Sequence, residues 1–238
     1  MGARGTIPGY RRHCEPRLFQ EHCLVSVAVN PPLPTFHPLL EVLLPRPNHR
    51  AAALARDAAL IAAGSLLVAA CARIVIPLPF TPVPVTGQTF AVLMVGMLLG
   101  ARRGALSLLL YLGEGAVGLP VFAGGALGLA RLIGPTAGYL WSYPIAACLM
   151  GFLAQRGWDR RPLLTAAAML MGGGVILGMG TLWLAQFVGG WSAAFAKGWL
   201  PFLPGDVVKT LLATTLLPAT WNRLNAKGPR SGYGFRRR

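Results

Sequence analysis

The chain has 238 residues, 54% of them apolar and 12% charged, with 22 Lys and Arg against seven Asp and Glu. A soluble domain carries about twice that share of charge, so a soluble globular domain of any size is excluded. The net charge of +15 would point to nucleic acid in a soluble protein. Here the cations stand between long apolar runs, which fits a membrane protein surrounded by lipids and excludes nucleic acid as the natural partner.

Residues 1–50 differ in kind from the rest, holding eight of the prolines, all four histidines and no apolar run long enough to span a bilayer. No apolar stretch leading into a small-residue cleavage site marks them as a signal peptide. They are expected to be a disordered cytoplasmic extension, or the product of a start placed too far upstream, and removal of residues 1–45 is expected to leave membrane insertion and ligand binding intact. His13-Cys14 and His22-Cys23 superficially suggest zinc, but their spacing matches no common zinc motif. Neither a metal site nor a cofactor is expected.

From Arg56 onward, apolar runs cover about 57–76, 88–101, 104–119, 135–155, 162–188 and 203–221. A span needs about 20 residues at about 1.5 Å each, so the second and third runs are short. They are expected to borrow residues from their loops or to form bent segments. The reading is an all-α integral membrane protein with six transmembrane helices over 51–222 and a basic tail over 223–238. Ala51, Ala55, Ala59 and Ala63 recur every fourth residue in the first span. They form either a smooth stripe for close approach of another helix or a chance alignment in an alanine-rich chain.

Charge placement orients the spans. With both termini in the cytoplasm, fourteen cations counted from Arg46 fall on the inner side, and Arg73, Arg131 and Lys197 are the three on the outer. The inner connections are short and basic, as in Ala101-Arg102-Arg103-Gly104. The outer ones are longer and rich in proline and glycine: Pro77 to Gln88, Leu119 to Thr136, and Gly189 to Gly205. Proline fixes φ and glycine permits tight turns, so these loops are expected to be ordered and to form a lid or pocket.

Ionisable residues inside spans are expensive and ask for a reason. Asp206 and Lys209, three residues apart in Pro204-Gly-Asp-Val-Val-Lys209, share one helix face. They are either a self-contained ion pair or a polar ligand site in which Asp206 accepts and Lys209 donates. Glu114 either lines the same cavity or caps loop amides. Histidine is absent after His49, which removes the base of a Ser–His hydrolase or an intramembrane metalloprotease. The phosphate-binding loop G-x-x-x-x-G-K-[ST] is also absent, so ATP hydrolysis by the usual route is excluded. The chain is read as a non-enzyme.

Five segments, in order, resemble the BioY family, the biotin-binding S components of energy-coupling-factor vitamin importers. They are Ile76-Pro-Leu-Pro-Phe-Thr-Pro-Val-Pro-Val-Thr-Gly-Gln-Thr-Phe90, Leu98-Leu-Gly-Ala-Arg-Arg-Gly-Ala-Leu-Ser107, Tyr111-Leu-Gly-Glu-Gly-Ala-Val-Gly-Leu-Pro-Val-Phe-Ala-Gly-Gly125, Gly134-Pro-Thr-Ala-Gly-Tyr139 and Pro201-Phe-Leu-Pro-Gly-Asp-Val-Val-Lys209. Ala137 stands where many members have glycine. Residues 1–50 and the last dozen or so match nothing in the family. The resemblance implies a six-helix S-component fold in the bacterial inner membrane, with the vitamin pocket near the outer face. It also implies a T component and ATP-binding subunits as partners. Biotin comes only from the resemblance. Its ureido N–H groups would suit Asp206, and its carbonyl or carboxylate would suit Lys209. The outer loops with Thr86, Gln88 and Arg131 would close over the rest, with Tyr139 and Glu114 completing the substrate-binding set and Ala55, Ala59 and Ala63 facing a partner. The competing readings are a binding subunit for another small vitamin-like solute, a membrane enzyme, and a membrane subunit that binds no solute.

Overall fold

The computed structural model describes residues 36–227, and these are mostly helical. His13, Cys14, His22, Cys23, most of the 1–50 extension, and the tail cations Arg230, Arg236, Arg237 and Arg238 lie outside the described residues. A short α1 (Leu39–Leu43) precedes α2 (Arg50–Cys71), a two-residue hairpin of β1 (Val75–Ile76) and β2 (Val85–Thr86), α3 (Gln88–Leu99) and α4 (Ala101–Ala116). Then follow α5 (Ala130–Ile133), α6 (Ala137–Ala154), α7 (Pro162–Leu184), α8 (Trp191–Gly198) and α9 (Leu203–Lys227). By length and apolarity, α2, α6, α7 and the segment Trp191–Leu224 can each cross a membrane.

A helix therefore occupies each apolar run, and the two short runs behave differently from each other. The helix of the third run borrows Ala101, Arg102 and Arg103 from the inner connection, as expected, whereas that of the second takes none. The 12 residues of α3 and 16 of α4 extend for only about 18 and 24 Å. They are separate helices joined at Gly100, whose φ of +83° is a conformation that glycine adopts without steric cost.

The bundle is organised around α6, which packs against α3, α4 and α7. Two-thirds of its span is buried, against 17% for α2, so α6 is the axis and α2 an outer helix. Small residues let these backbones approach closely. A Cβ on Gly104 of α4 would sit 3.0 Å from the Cα of Gly96 on α3, and a Cβ on Gly96 would strike Ala147 of α6. On the outer side of α2, Ala51, Ala55, Ala59 and Ala63 are all exposed.

One end of the bundle gathers the arginines. Asp57 of α2 pairs with Arg103 of α4 at 3.0 Å and with Arg46 at 2.9 Å, while Glu41 of α1 lies 3.6 Å from Arg103. The 36–49 stretch of the extension is packed against this end. Phe36 N–H donates to Gln155 O at 2.7 Å, Leu39 is buried, and the Arg160 guanidinium lies 4.3 Å from the Phe36 ring centroid. The other face of that guanidinium meets the Trp221 ring at 4.1 Å. Asp159 accepts from Trp221 Nε1 at 2.6 Å, tying the α6–α7 turn to the end of α9. Burial pushes the Asp159 carboxyl up to about 6, although that bond and Arg160 both favour its ionised form.

Candidate binding site

At the opposite end, loop chemistry builds a cavity of about 300 Å³, at the lower end of the range used by small-molecule ligands. The hairpin pairs Val75 with Thr86 and Ile76 with Val85. Pro77, Pro79, Pro82 and Pro84 restrict the intervening backbone, and Thr81 Oγ1 accepts the Val83 N–H at 3.2 Å. This stiff lip forms one wall. The 117–136 loop forms another, anchored by Gly124 N–H to Ala72 O at 3.1 Å and by Arg73 Nη2 to Pro120 O at 2.8 Å. Gly124 and Gly125 have φ of +67° and +83°, so the turn that carries Phe122 inward suits glycine at both positions.

The remaining wall belongs to the first turns of α3 and α6. Thr86, Gln88, Arg131 and Tyr139 all line the cavity, so four residues singled out in the sequence come together. Their polar atoms are unequally free. Thr86 Oγ1 donates to Gln88 Oε1 at 3.3 Å, Gln88 Nε2 donates to the Tyr111 hydroxyl, and Tyr111 donates to Val121 O at 3.0 Å. Tyr139 donates its hydroxyl to Gly198 O at 2.8 Å, away from the cavity, and offers its ring. That ring stacks on Phe202 at 6.1 Å. Arg131 is exposed on the short α5, and its guanidinium has no bonded partner among the described residues.

Asp206 and Lys209 stand one layer further back. Lys209 Nζ donates to Asp206 Oδ1 at 3.1 Å and to Thr89 Oγ1 at 2.6 Å. The pair lines an adjoining cavity of about 20 Å³, room for about one water. Thr89 and Phe202 belong to the walls of both cavities and form the partition between them. Glu114 is elsewhere: it accepts from Ser65 Oγ of α2 and lines neither cavity. Sequence reasoning missed Thr89, Phe202, Phe122 and Tyr143, each a cavity-lining residue. The aromatic residues lie in apolar stretches where a core role is the default. Thr89, next to Gln88 at the start of a helix, carried a polar signal that stood unused.

Fold and site together define a helical membrane protein with a solute-sized cavity bordered by the loops at one end. The BioY family profile matches residues 45–226, and the chain belongs to that family. A probable biotin transporter BioY of Pyrococcus horikoshii is 44% identical over 57% of this chain and 78% of its own length. The biotin transporter BioY of Rhodobacter capsulatus is 36% identical over 68% of this chain and 97% of its own. The solved S component for biotin from an energy-coupling-factor transporter superposes with a TM-score of 0.62 at 26% identity. That match covers 74% of this chain and 93% of the other.

Proposed function

We propose that this chain is the substrate-binding membrane subunit for biotin uptake, energised by a separate T component and ATP-binding subunits. The observation that carries the reading is the cavity bordered by the outer loops, with aromatic and proline walls for an apolar ring system and polar side chains such as Gln88, Thr89 and Arg131 among them. The relatives' names supply the ligand's identity. Arg131, the exposed cation, suits the valerate carboxylate, and Thr86, Gln88 and Tyr139 shape the wall. Asp206 and Lys209 act from behind the partition, and Glu114 serves the α2–α4 contact rather than the ligand.

Six helices span the bilayer in this reading, with both termini in the cytoplasm and the cavity facing outward. The membrane is the bacterial inner membrane. The short α3 and α4 reach the lipid boundary with help from their neighbours. The Ala55–Ala59–Ala63 face of α2, exposed and smooth, receives the T component. Biotin binding by the purified chain in detergent tests the proposal. Saturable, stoichiometric binding of labelled biotin is expected, and a chain that binds none in its folded state overturns it.

A further inference from the structure

The turn between α6 and α7 holds two polar atoms that the binding site does not use. Asp159 is 1% exposed. Its Oδ2 accepts from Trp221 Nε1, while its Oδ1 is buried without a donor among the described residues. The next residue, Arg160, has a buried Nε without an acceptor among them. An orphaned acceptor and an orphaned donor thus stand on consecutive residues. No ion pair of Asp159 is found among the described residues. The guanidinium is seated instead between Phe36 and Trp221, 4.3 and 4.1 Å from their ring centroids. The backbone makes room for Phe36: Gly157 has φ of +80°, and a Cβ there would come within 3.0 Å of the ring.

A buried carboxylate without a paired cation is costly, and such a group keeps a proton instead of a charge. Once ionised, Asp159 Oδ1 needs a donor. Arg160 is the cation that acts on it, and the guanidinium's fork of N–H groups matches a carboxylate. Turning to Oδ1 takes the guanidinium off the rings, so Arg160 has two mutually exclusive seats. The other charged groups around the turn have their own positions. Arg156, just past α6, covers the Phe152 ring, Arg161 stands at the N-terminus of α7, and Arg223 is exposed on α9. On the 36–49 stretch, His37 and Glu41 pair at 3.5 Å.

We infer that Asp159 and Arg160 form a proton-operated switch that sets the hold of Phe36, and with it the 36–49 stretch, on this end of the bundle. With the carboxyl protonated, Arg160 stays in the aromatic sandwich and holds Phe36. When the O–H bond breaks and the proton passes to water, the guanidinium pairs with Oδ1 and Phe36 loses its cation. Burial holds the carboxyl above the ordinary 3.8. The hold is therefore complete below that value and is lost as pH rises through about 6. Trp221 keeps its bond to Oδ2 in both states, so α9 stays fixed and the N-terminal stretch responds. The switch operates whichever solute the cavity takes.

The test is the melting temperature, in detergent, of the full chain with and without Phe36→Ala, in wild type, Asp159→Asn and Arg160→Gln. The cost of Phe36→Ala is the difference within each pair, which removes pH effects common to both chains. In wild type that cost should be about 4 °C at about pH 5 and less than half of that at about pH 8. Asparagine keeps an acceptor for Trp221 and has no proton to lose, so in Asp159→Asn the cost should be equal at both pH values. In Arg160→Gln it should be equal at both and smaller than the acid wild-type value. A wild-type cost that does not change with pH overturns the switch. So does a pH-dependent cost that survives Asp159→Asn, which would give the response to His37, a titratable side chain on the stretch itself. A pH-dependent cost that survives Arg160→Gln overturns it as well, since the guanidinium would then have no part. Should Asp159→Asn not fold, Arg160→Gln against wild type decides alone.

Discussion

At the residue scale, the two charges of α9 show how burial and partnership decide a role. The side chains of Asp206 and Lys209 are 23% and 13% exposed, and each neutralises the other's cost of leaving water. An ion pair that served only itself would leave Thr89 alone; this one spends one of the ammonium's three protons on the partition of the cavity. Single substitutions strand a charge and confound stability with binding. The double change Asp206→Asn with Lys209→Met removes both charges together. It should leave a folded protein with a melting temperature near that of wild type. Biotin affinity should fall by about one order of magnitude, the loss expected for one hydrogen bond to a charged group at the low end of its range, about 1.5 kcal/mol. Titration calorimetry and thermal melting of the same detergent sample decide it. A stable double mutant with wild-type affinity would return the pair to a structural role.

At the scale of elements, the chain differs most from expectation before α2. Residues 36–49 were expected within a dispensable extension, yet Phe36 and Leu39 pack on the arginine-rich end, and Glu41 and Arg46 join the Asp57–Arg103 network. A chain starting at residue 36 should melt like the full chain. One starting at residue 48 should melt lower, since burial of Leu39 alone is worth about 2 kcal/mol. Biotin affinity should be unchanged in both, because the cavity is at the other end; equal melting temperatures would show that the clasp contributes nothing. The outer face of α2 makes the opposite demand. Ala59→Leu with Ala63→Leu adds bulk on a face that is exposed among the described residues, so biotin binding should persist while co-purification with a T component falls severalfold. Normal co-purification would remove the stripe from the partner surface. The helices themselves were legible because run length and Pro-Gly punctuation determine them: α6 and α7 begin within two residues of the runs starting at 135 and 162. The clasp was not legible. Leu39, Leu40, Val42 and Leu43 are too few and too proline-flanked to read as a span, and only tertiary contact gives them a place. Thr86, Gln88, Arg131 and Tyr139 could be grouped from their loops, but the partition by Phe202 and Thr89 depends on how α9 rests against α3, which no local pattern encodes.

At the scale of the molecule, the two ends differ in chemistry, and that difference sets the expected orientation. One end holds the Arg46–Asp57–Arg103 network and the Arg160 sandwich, with Arg156 also near its surface. The other holds the cavity, its proline lip and Arg131. Cations near span ends are retained in the cytoplasm during insertion, and fourteen against three, counted from Arg46, is a wide margin. A binding subunit for uptake must also meet its solute outside, so the cavity end and the cation-poor end should coincide, as the loop assignments require. Fusions of a reporter active only outside the cytoplasm test this directly. Fusions ending near Gly125 or Gly190 should be active and those ending near Arg103 or Arg160 silent. The reverse pattern at two or more sites would overturn the orientation. A silent reporter at both sites that flank α2 and α3 together, near Arg56 and Arg103, is also expected if the 57–76 and 88–101 runs each cross. Opposite activity at those two sites would mean that the 12-residue α3, at about 18 Å, does not reach across, and the six-span count would fall with it.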